Sequence, residues 1–241
     1  MSPSFRMLRW LCVLAAVSFL GADVATRKTL RVAPTDDFEI TGDSSAASWK
    51  KATWEPLVPR GAKLREDATQ LKALYSSKGL YFLMQGADRK VTSTMKEDFA
   101  DLWKEDVFEV FLWPDEKTPL YFEYEISPLG YELPILVPNF NGKFLGWRPW
   151  HYEADRKIKK ATTVQGGSKS SGSTTSGWTA EFFIPFALLT PLQNVPPQPG
   201  AKWRANFYRM DYDDGQNASW DWSRVGPSFH EIENFGVLVF E

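Results

Sequence analysis

The feature that most limits what this chain can fold into is the spacing of its apolar residues. They alternate with polar residues over short runs and rarely recur at helical intervals. Runs of this kind lie at 28–32, 72–76, 79–86, 106–113, 120–127, 131–138, 157–163, 178–184, 203–211 and 235–240, bounded by Pro, Gly and Asp/Asn clusters. They predict an all-β fold, an antiparallel β-sandwich of about ten strands. Helical signal is confined to a turn at 46–52, a mixed stretch at 94–103 and a Pro-led segment at 185–189 (PFALL), so one or two short helices are expected. Residues 75–81 (YSSKGLY) read as a hairpin in which Gly79 supplies a positive φ. The low-complexity run 165–177 (QGGSKSSGSTTSG) reads as a flexible loop between two strands of one domain, since a boundary there would leave two half-sandwiches.

Composition narrows the function classes. Lys plus Arg is 28 against 30 Asp plus Glu, and with a net charge of −2 and no basic stripe, neither nucleic acid nor an anionic lipid surface is an expected partner. A single Cys and two His remove disulfide scaffolds, Cys/His zinc sites and Cys/His proteases. Haem ligation would have only His151 and His230 to draw on, both in loops. At the N-terminus, Arg6 and Arg9 precede an apolar run from Trp10 to Leu20 that is too short to span a bilayer and suits the core of a secretory signal. Residues 1–25 are therefore expected to be a signal peptide and 26–241 the exported domain, secreted or periplasmic and with no membrane attachment after cleavage. Cleavage would also remove Cys12, leaving a mature chain without cysteine. An Asn217-Ala218-Ser219 sequon matters only in a eukaryotic secretory pathway.

Period-two bookkeeping then assigns side chains to faces. Phe108, Val110 and Leu112 oppose Val107, Glu109 and Phe111; Phe122, Tyr124 and Ile126 oppose Tyr121, Glu123 and Glu125; Trp203, Ala205 and Phe207 oppose Arg204, Asn206 and Tyr208. If these strands are neighbours, one face presents Glu109, Glu123, Glu125, Arg204, Asn206 and Tyr208, a polar floor edged by aromatics. Sugars need bidentate polar groups beside an aromatic platform, and eleven Trp residues supply platforms in excess of core needs. The same strand carboxylates also suit a solvated face.

The segments Trp103-Lys104-Glu105-Asp106-Val107-Phe108-Glu109-Val110-Phe111, 121–128 (YFEYEISP), 178–186 (WTAEFFIPF), 203–209 (WRANFYR) and the closing Phe235-Gly236 follow one another as in family 9 carbohydrate-binding modules. The stretch from Ile40 to Trp49 is similar to that family's opening strand and turn. By this resemblance the fold is a DOMON-like, jelly-roll-like β-sandwich and the ligand is a carbohydrate, a mono- or oligosaccharide or a polysaccharide end gripped between two aromatic side chains. Trp103 falls on one clamp position, and Phe229 stands where the family's second clamp is Trp. Glu109 matches a ligand-contacting Glu, whereas Glu123 and Glu125 replace Arg and Asn. Trp103 and Phe229 also suit core packing, and Trp147 and Trp150 either add a platform or cover a sandwich edge.

The function expected is thus an exported, non-catalytic carbohydrate-binding module in carbohydrate catabolism, with a glycan-degrading enzyme as a possible partner. The alternative is a glycoside hydrolase using the Glu109, Glu123 and Glu125 carboxyls as acid and base. No cofactor is required. An oxygen-rich turn at Asp211, Asp213 and Asp214 suits structural calcium, as it also suits a solvated acidic turn.

Overall fold

The computed structural model describes residues 27–61, 67–213 and 217–241, so the expected signal peptide lies outside the described residues. The strands are β1 (Thr29–Pro34), β2 (Glu55–Pro59), β3 (Thr69–Tyr75), β4 (Gly79–Ala87), β5 (Val107–Trp113), β6 (Leu120–Ile126), β7 (Glu132–Phe140), β8 (Lys143–Phe144), β9 (Arg148–Pro149), β10 (Lys159–Gln165), β11 (Gly177–Pro185), β12 (Lys202–Asp211), β13 (Ala218–Asp221) and β14 (Gly236–Phe240). All ten expected strands are present and the all-β sandwich is borne out. One layer runs β10-β11-β4-β3 and the other β14-β12-β5-β6-β7, with β1 joining them.

Three features depart from the sequence reading. First, the sheet is mixed: β1 pairs parallel to β14 through Thr29–Val32 and parallel to β3 through Ala33 and Pro34, so it changes layers along its length. Alternation looks the same in parallel and antiparallel strands, which is why the pattern did not show it. Second, β2 and β13 close the other edge by pairing with each other and with β3 and β12. The two prolines of β2, Pro56 and Pro59, mask it as a strand. Third, 185–189 forms successive turns through Leu188 N to Pro185 O and Leu189 N to Phe186 O, and short 3-10 turns replace the other expected helices.

One local reading also changes. Ser76 N donates to Gly79 O at 2.9 Å, which closes the expected hairpin. Gly79, however, is absent from the positive-φ residues, and a Cβ there would lie 2.3 Å from Ile184 O. Close approach of the β11 backbone, not turn conformation, requires glycine. The 165–177 run is laced to residues 89–91, just after β4, by Val91 N to Ser173 O, Gly172 N to Val91 O and Thr175 N to Arg89 O.

The inter-layer core is large and aromatic. Phe108, Phe122, Tyr124, Phe182, Phe207, Trp178, Trp203, Trp220 and Trp222 meet within it, with Phe108 stacked on Trp178 at 3.9 Å. The outer face of the β5-β6-β12 layer is covered as well. Leu102, Val107, Phe111, Trp113, Tyr121, Leu133, Ile135, Tyr208, Ile232 and Phe235 pack there under the loops at 95–102 and 225–235. On the far side of the sandwich Glu181, fully buried, accepts from Trp49 Nε1 at 2.7 Å and Gly42 N at 2.6 Å, which clamps the opening segment to β11.

Gly79→Ala is expected to destabilise the fold by about 1–3 kcal/mol through overpacking against Ile184, measurable as a lowered denaturant midpoint with an unchanged slope.

Candidate functional site

Strand register brings the three glutamates together. Glu109 on β5 faces Glu125 on β6, Glu123 faces Phe111, and Tyr208 on β12 flanks Glu109 from the other side. All three point to the outer face of a layer whose both faces are covered, so Glu109, Glu123 and Glu125 are only 2%, 4% and 1% exposed. They line the floor of a cleft of about 500 Å³. Its walls include Trp103, Phe144, Trp147, Tyr212, Phe229 and His230.

Each wall residue is placed by identifiable chemistry. Trp103 sits on the 3-10 turn Leu102–Lys104, where Leu102 is buried as an anchor and the Trp103 carbonyl accepts from Tyr212 Oη at 2.9 Å. The Trp103 indole remains 42% exposed. Phe144 arrives on a hairpin missed in the sequence reading. β7 runs past Pro138 to Phe140, turns at Asn141 and Gly142 with φ of 51° and 75°, and returns as β8. Asn-Gly is the strongest short-range signal for such a turn, so this element was legible. Phe144 stacks on His230 at 4.0 Å, 43% exposed itself. Trp147 and Trp150, which flank β9, go to different places: Trp147 to the cleft, and Trp150 to the sandwich edge, where its Nε1 donates to Leu188 O at 3.0 Å.

Phe229 lines the cleft but is engaged by the protein. The Tyr208 ring lies parallel to it at 4.1 Å and the Arg60 guanidinium stands 4.7 Å from its centroid. It therefore has less free face to offer than Trp103. Asn206, Tyr208 and Arg204 share the expected sheet face, yet the structure does not bring them into the cleft. Asn206 donates to Ser223 O at 2.8 Å and to Tyr208 Oη at 2.7 Å, and Tyr208 Oη donates to Phe229 O at 2.8 Å. These fully buried groups hold the loop that carries Phe229. Arg204 lies at the other end of the face. It donates to the carbonyls of Ile232, Glu233 and Phe235, pairs with Glu116 at 3.1 Å and does not lie among the glutamates. Arg60, Tyr212 and His230 were not singled out by sequence as parts of this site, because loops far apart in the chain deliver them.

The electrostatics follow from burial. Loss of water pushes Glu109 up to about 8, against the pull of Arg60. Glu123 is raised well above the usual carboxylate range by burial and then by Glu109, and Glu125 by burial and then by Glu109 and Glu123. Burial lowers His230 to about 4, leaving a neutral ring whose Nδ1 meets Tyr121 Oη and stands 3.9 Å from Glu123 Oε2, beyond hydrogen-bond reach. Glu123 Oε2 and Glu125 Oε2 are buried without a hydrogen-bond partner.

A wider recess of about 1280 Å³ lies between residues 37–40 and 154–160. Two of its lysines are paired, Lys78 with Asp37 at 2.5 Å and Lys160 with Asp98 and Glu132 at 2.8 and 3.0 Å, and Lys159 stands over the Phe183 ring. None of its lining residues has a buried unpartnered side-chain atom. The glutamate cleft is the better candidate on that ground.

The acidic cluster suited to a metal also differs from the one expected. Asp211 and Asp213 are joined by Asp88, with carboxylate oxygens within 4.8 Å of one another, while Asp214 lies outside the described residues. The buried Arg209 guanidinium pairs with Asp211 at 2.6 Å and stands 3.5 Å from Asp88. Burial is the main cause that pushes Asp88 up to about 6 and Asp106 beside it to about 8.

No protein-family model matches the chain. An extracellular protein of Arthroderma benhamiae is 30% identical over 182 residues, covering 71% of this chain and 78% of that relative. The chain belongs to the same family as that extracellular protein. Among solved structures, a Bacteroides uniformis protein assigned as a candidate carbohydrate-binding protein superposes with a TM-score of 0.74 at 18% identity, over 90% of this chain and all of the other. A family 9 carbohydrate-binding module of Caldicellulosiruptor kristjanssonii, solved with cellotriose, gives a TM-score of 0.62 at 15% identity over 89% and 94%. The glucose complex of a family 9 module from the same organism gives 0.62 at 13% identity over 89% and 96%. The chain thus has the family 9 carbohydrate-binding-module fold.

Because Glu109 is protonated up to about pH 8 when folded and only to its ordinary 4.5 when unfolded, its stabilising contribution is complete below 4.5 and is lost as pH rises through 8. Glu109→Gln should match the parent near pH 4 in thermal melts and exceed it progressively between about pH 4.5 and about 8, with no further gain above.

Proposed function

We propose that this protein is an exported carbohydrate-binding module whose ligand sits in the glutamate cleft, stacked on Trp103. The observation that carries the reading is the exposed Trp103 indole at the rim of a cleft floored by buried carboxyls. An apolar sugar face packs on an aromatic ring, and carboxyls hydrogen-bond the hydroxyls at its edge. Phe144 and Trp147 serve as a further aromatic wall, with Phe229 contributing less. The fold of family 9 modules supports this reading. Export is supported by the extracellular relative and by the leader-like sequence. A role in carbohydrate catabolism beside a glycan-degrading enzyme fits that placement.

The hydrolase alternative is less well served by the site. Glycoside hydrolysis requires one carboxyl ionised while its partner keeps a proton. Here burial raises all three, so the carboxyl that would have to be ionised is held towards its neutral form.

Calcium is proposed as a structural ligand of Asp88, Asp211 and Asp213. The donors are hard oxygens, and Asp88 Oδ2 is buried with no hydrogen bond and only the Arg209 guanidinium beside it, 3.5 Å away. Arg209 already supplies one positive charge there, so the ion would stabilise an existing arrangement and have no part in recognition.

Isothermal titration of the mature chain with mono- and oligosaccharides should show saturable binding without release of reducing ends. Trp103→Ala should weaken it by about tenfold or more; undiminished binding in that variant would remove the site from this cleft. Millimolar Ca²⁺ should raise the melting temperature, a chelator should reverse the gain, and Asp88→Asn should abolish it.

A further inference from the structure

We propose that the sugar taken by this cleft is an amino sugar, such as a glucosamine unit of a deacetylated glycan, with its ammonium group seated among Glu109, Glu123 and Glu125. This rests on the carbohydrate reading and adds the chemical class of the ligand.

The first observation is a pair of adjacent carboxyls left to each other. Glu123 Oε2 and Glu125 Oε2 are buried, line the cleft and meet no N–H, hydroxyl or cation of the described residues, so that only the neighbouring carboxyl is within reach. A buried carboxyl oxygen left in this way is costly, which suggests that its partner comes with the ligand. An ammonium brings three donors and a positive charge to one point, whereas a neutral sugar brings hydroxyl dipoles alone.

Second, among the described residues Arg60, Lys104 and Arg204 are already engaged elsewhere. Arg60 is committed to Asp221 at 3.1 Å and to the Gly226 carbonyl. Lys104 stands over the Trp103 ring and pairs with Asp101 at 2.5 Å. His230 is neutral, and Arg204 is held at the far end of the face by Glu116 and the 232–235 carbonyls.

Third, the walls select an organic cation over a bare ion. Among the described residues the carboxylate trio compact enough for a metal is Asp88, Asp211 and Asp213, not the three glutamates. Trp103, Phe111, Phe144, Trp147 and Tyr212 line the glutamate cleft, and aromatic faces attract cations carried on an organic frame. At about 500 Å³ the cleft takes more than one small ring, which suits the end of an oligosaccharide. Burial keeps the carboxyls neutral until the ligand arrives, and an ammonium then favours their ionisation.

The test is calorimetric titration of the mature chain at pH 6 with the β-1,4 trimer of glucosamine, its N-acetylated counterpart and cellotriose. The expected result is at least tenfold tighter binding of the amino trimer than of the other two. That preference should collapse in the near-isosteric Glu123→Gln/Glu125→Gln double variant, with folding checked by circular dichroism. Equal or tighter binding of cellotriose or the acetylated trimer overturns the amine assignment and leaves the carbohydrate reading standing. A preference that survives in the double variant overturns it too, since the charge attraction would then lie elsewhere. No binding of any of the three overturns both.

Discussion

Covering a β-sheet on both faces leaves no strand position in that sheet at which a charge can meet water, and the β5-β6-β12 layer is built in this way. Its inner face packs Phe108, Val110, Phe122, Tyr124 and Phe207 against the opposite layer. Its outer face packs Val107, Phe111, Trp113, Tyr121 and Tyr208 under two loops. Glu109, Glu123 and Glu125 occupy outer-face positions near a gap between those loops. They reach a cleft but not bulk solvent, and their raised proton affinities follow from that placement. The same carboxyls on an uncovered sheet face would be ordinary solvated side chains.

The cleft depends on residues that do not line it. Arg204 gathers the carbonyls of Ile232, Glu233 and Phe235, fixing the turn after His230. Asn206 holds Ser223 and the Tyr208 hydroxyl, and Tyr208 in turn holds the Phe229 carbonyl and packs under its ring. A single strand, β12, thus carries three polar side chains that anchor the 223–235 loop, while alternate residues of that strand enter the core. Their chemistry looks like that of ligand-binding groups because buried anchoring and ligand binding both use directed hydrogen bonds.

The cleft also departs from a symmetrical aromatic clamp. Trp103 is 42% exposed and has one ring contact from the Lys104 ammonium, whereas Phe229 is packed against Tyr208 as well as approached by Arg60. Further aromatic surface on the cleft lining comes from Phe144 on the Asn141-Gly142 hairpin and from Trp147 beside β9. A carboxyl-rich floor with these walls is a different recognition surface on a shared sandwich, in keeping with fold and site being separable.

Much of the architecture was legible because side-chain alternation survives whatever the strand order. Ten strands, the inward set Phe108, Val110 and Leu112 and the common face of Glu109, Glu123, Glu125 and Tyr208 could be read from period two alone. The Asn141-Gly142 hairpin that carries Phe144 was legible too, in its turn dipeptide. The parallel pairing of β1, the replacement of an expected positive φ at Gly79 by close backbone contact, and the joining of Asp88 to Asp211 and Asp213 were not. The sequence by itself determined which side chains share a face, since the pleat of a strand is a local property. Only the tertiary structure decided which of them meet a ligand-sized space: burial, loop cover and the partners of Arg204, Asn206 and Arg60 depend on segments brought together from distant parts of the chain, and no local pattern records those distances.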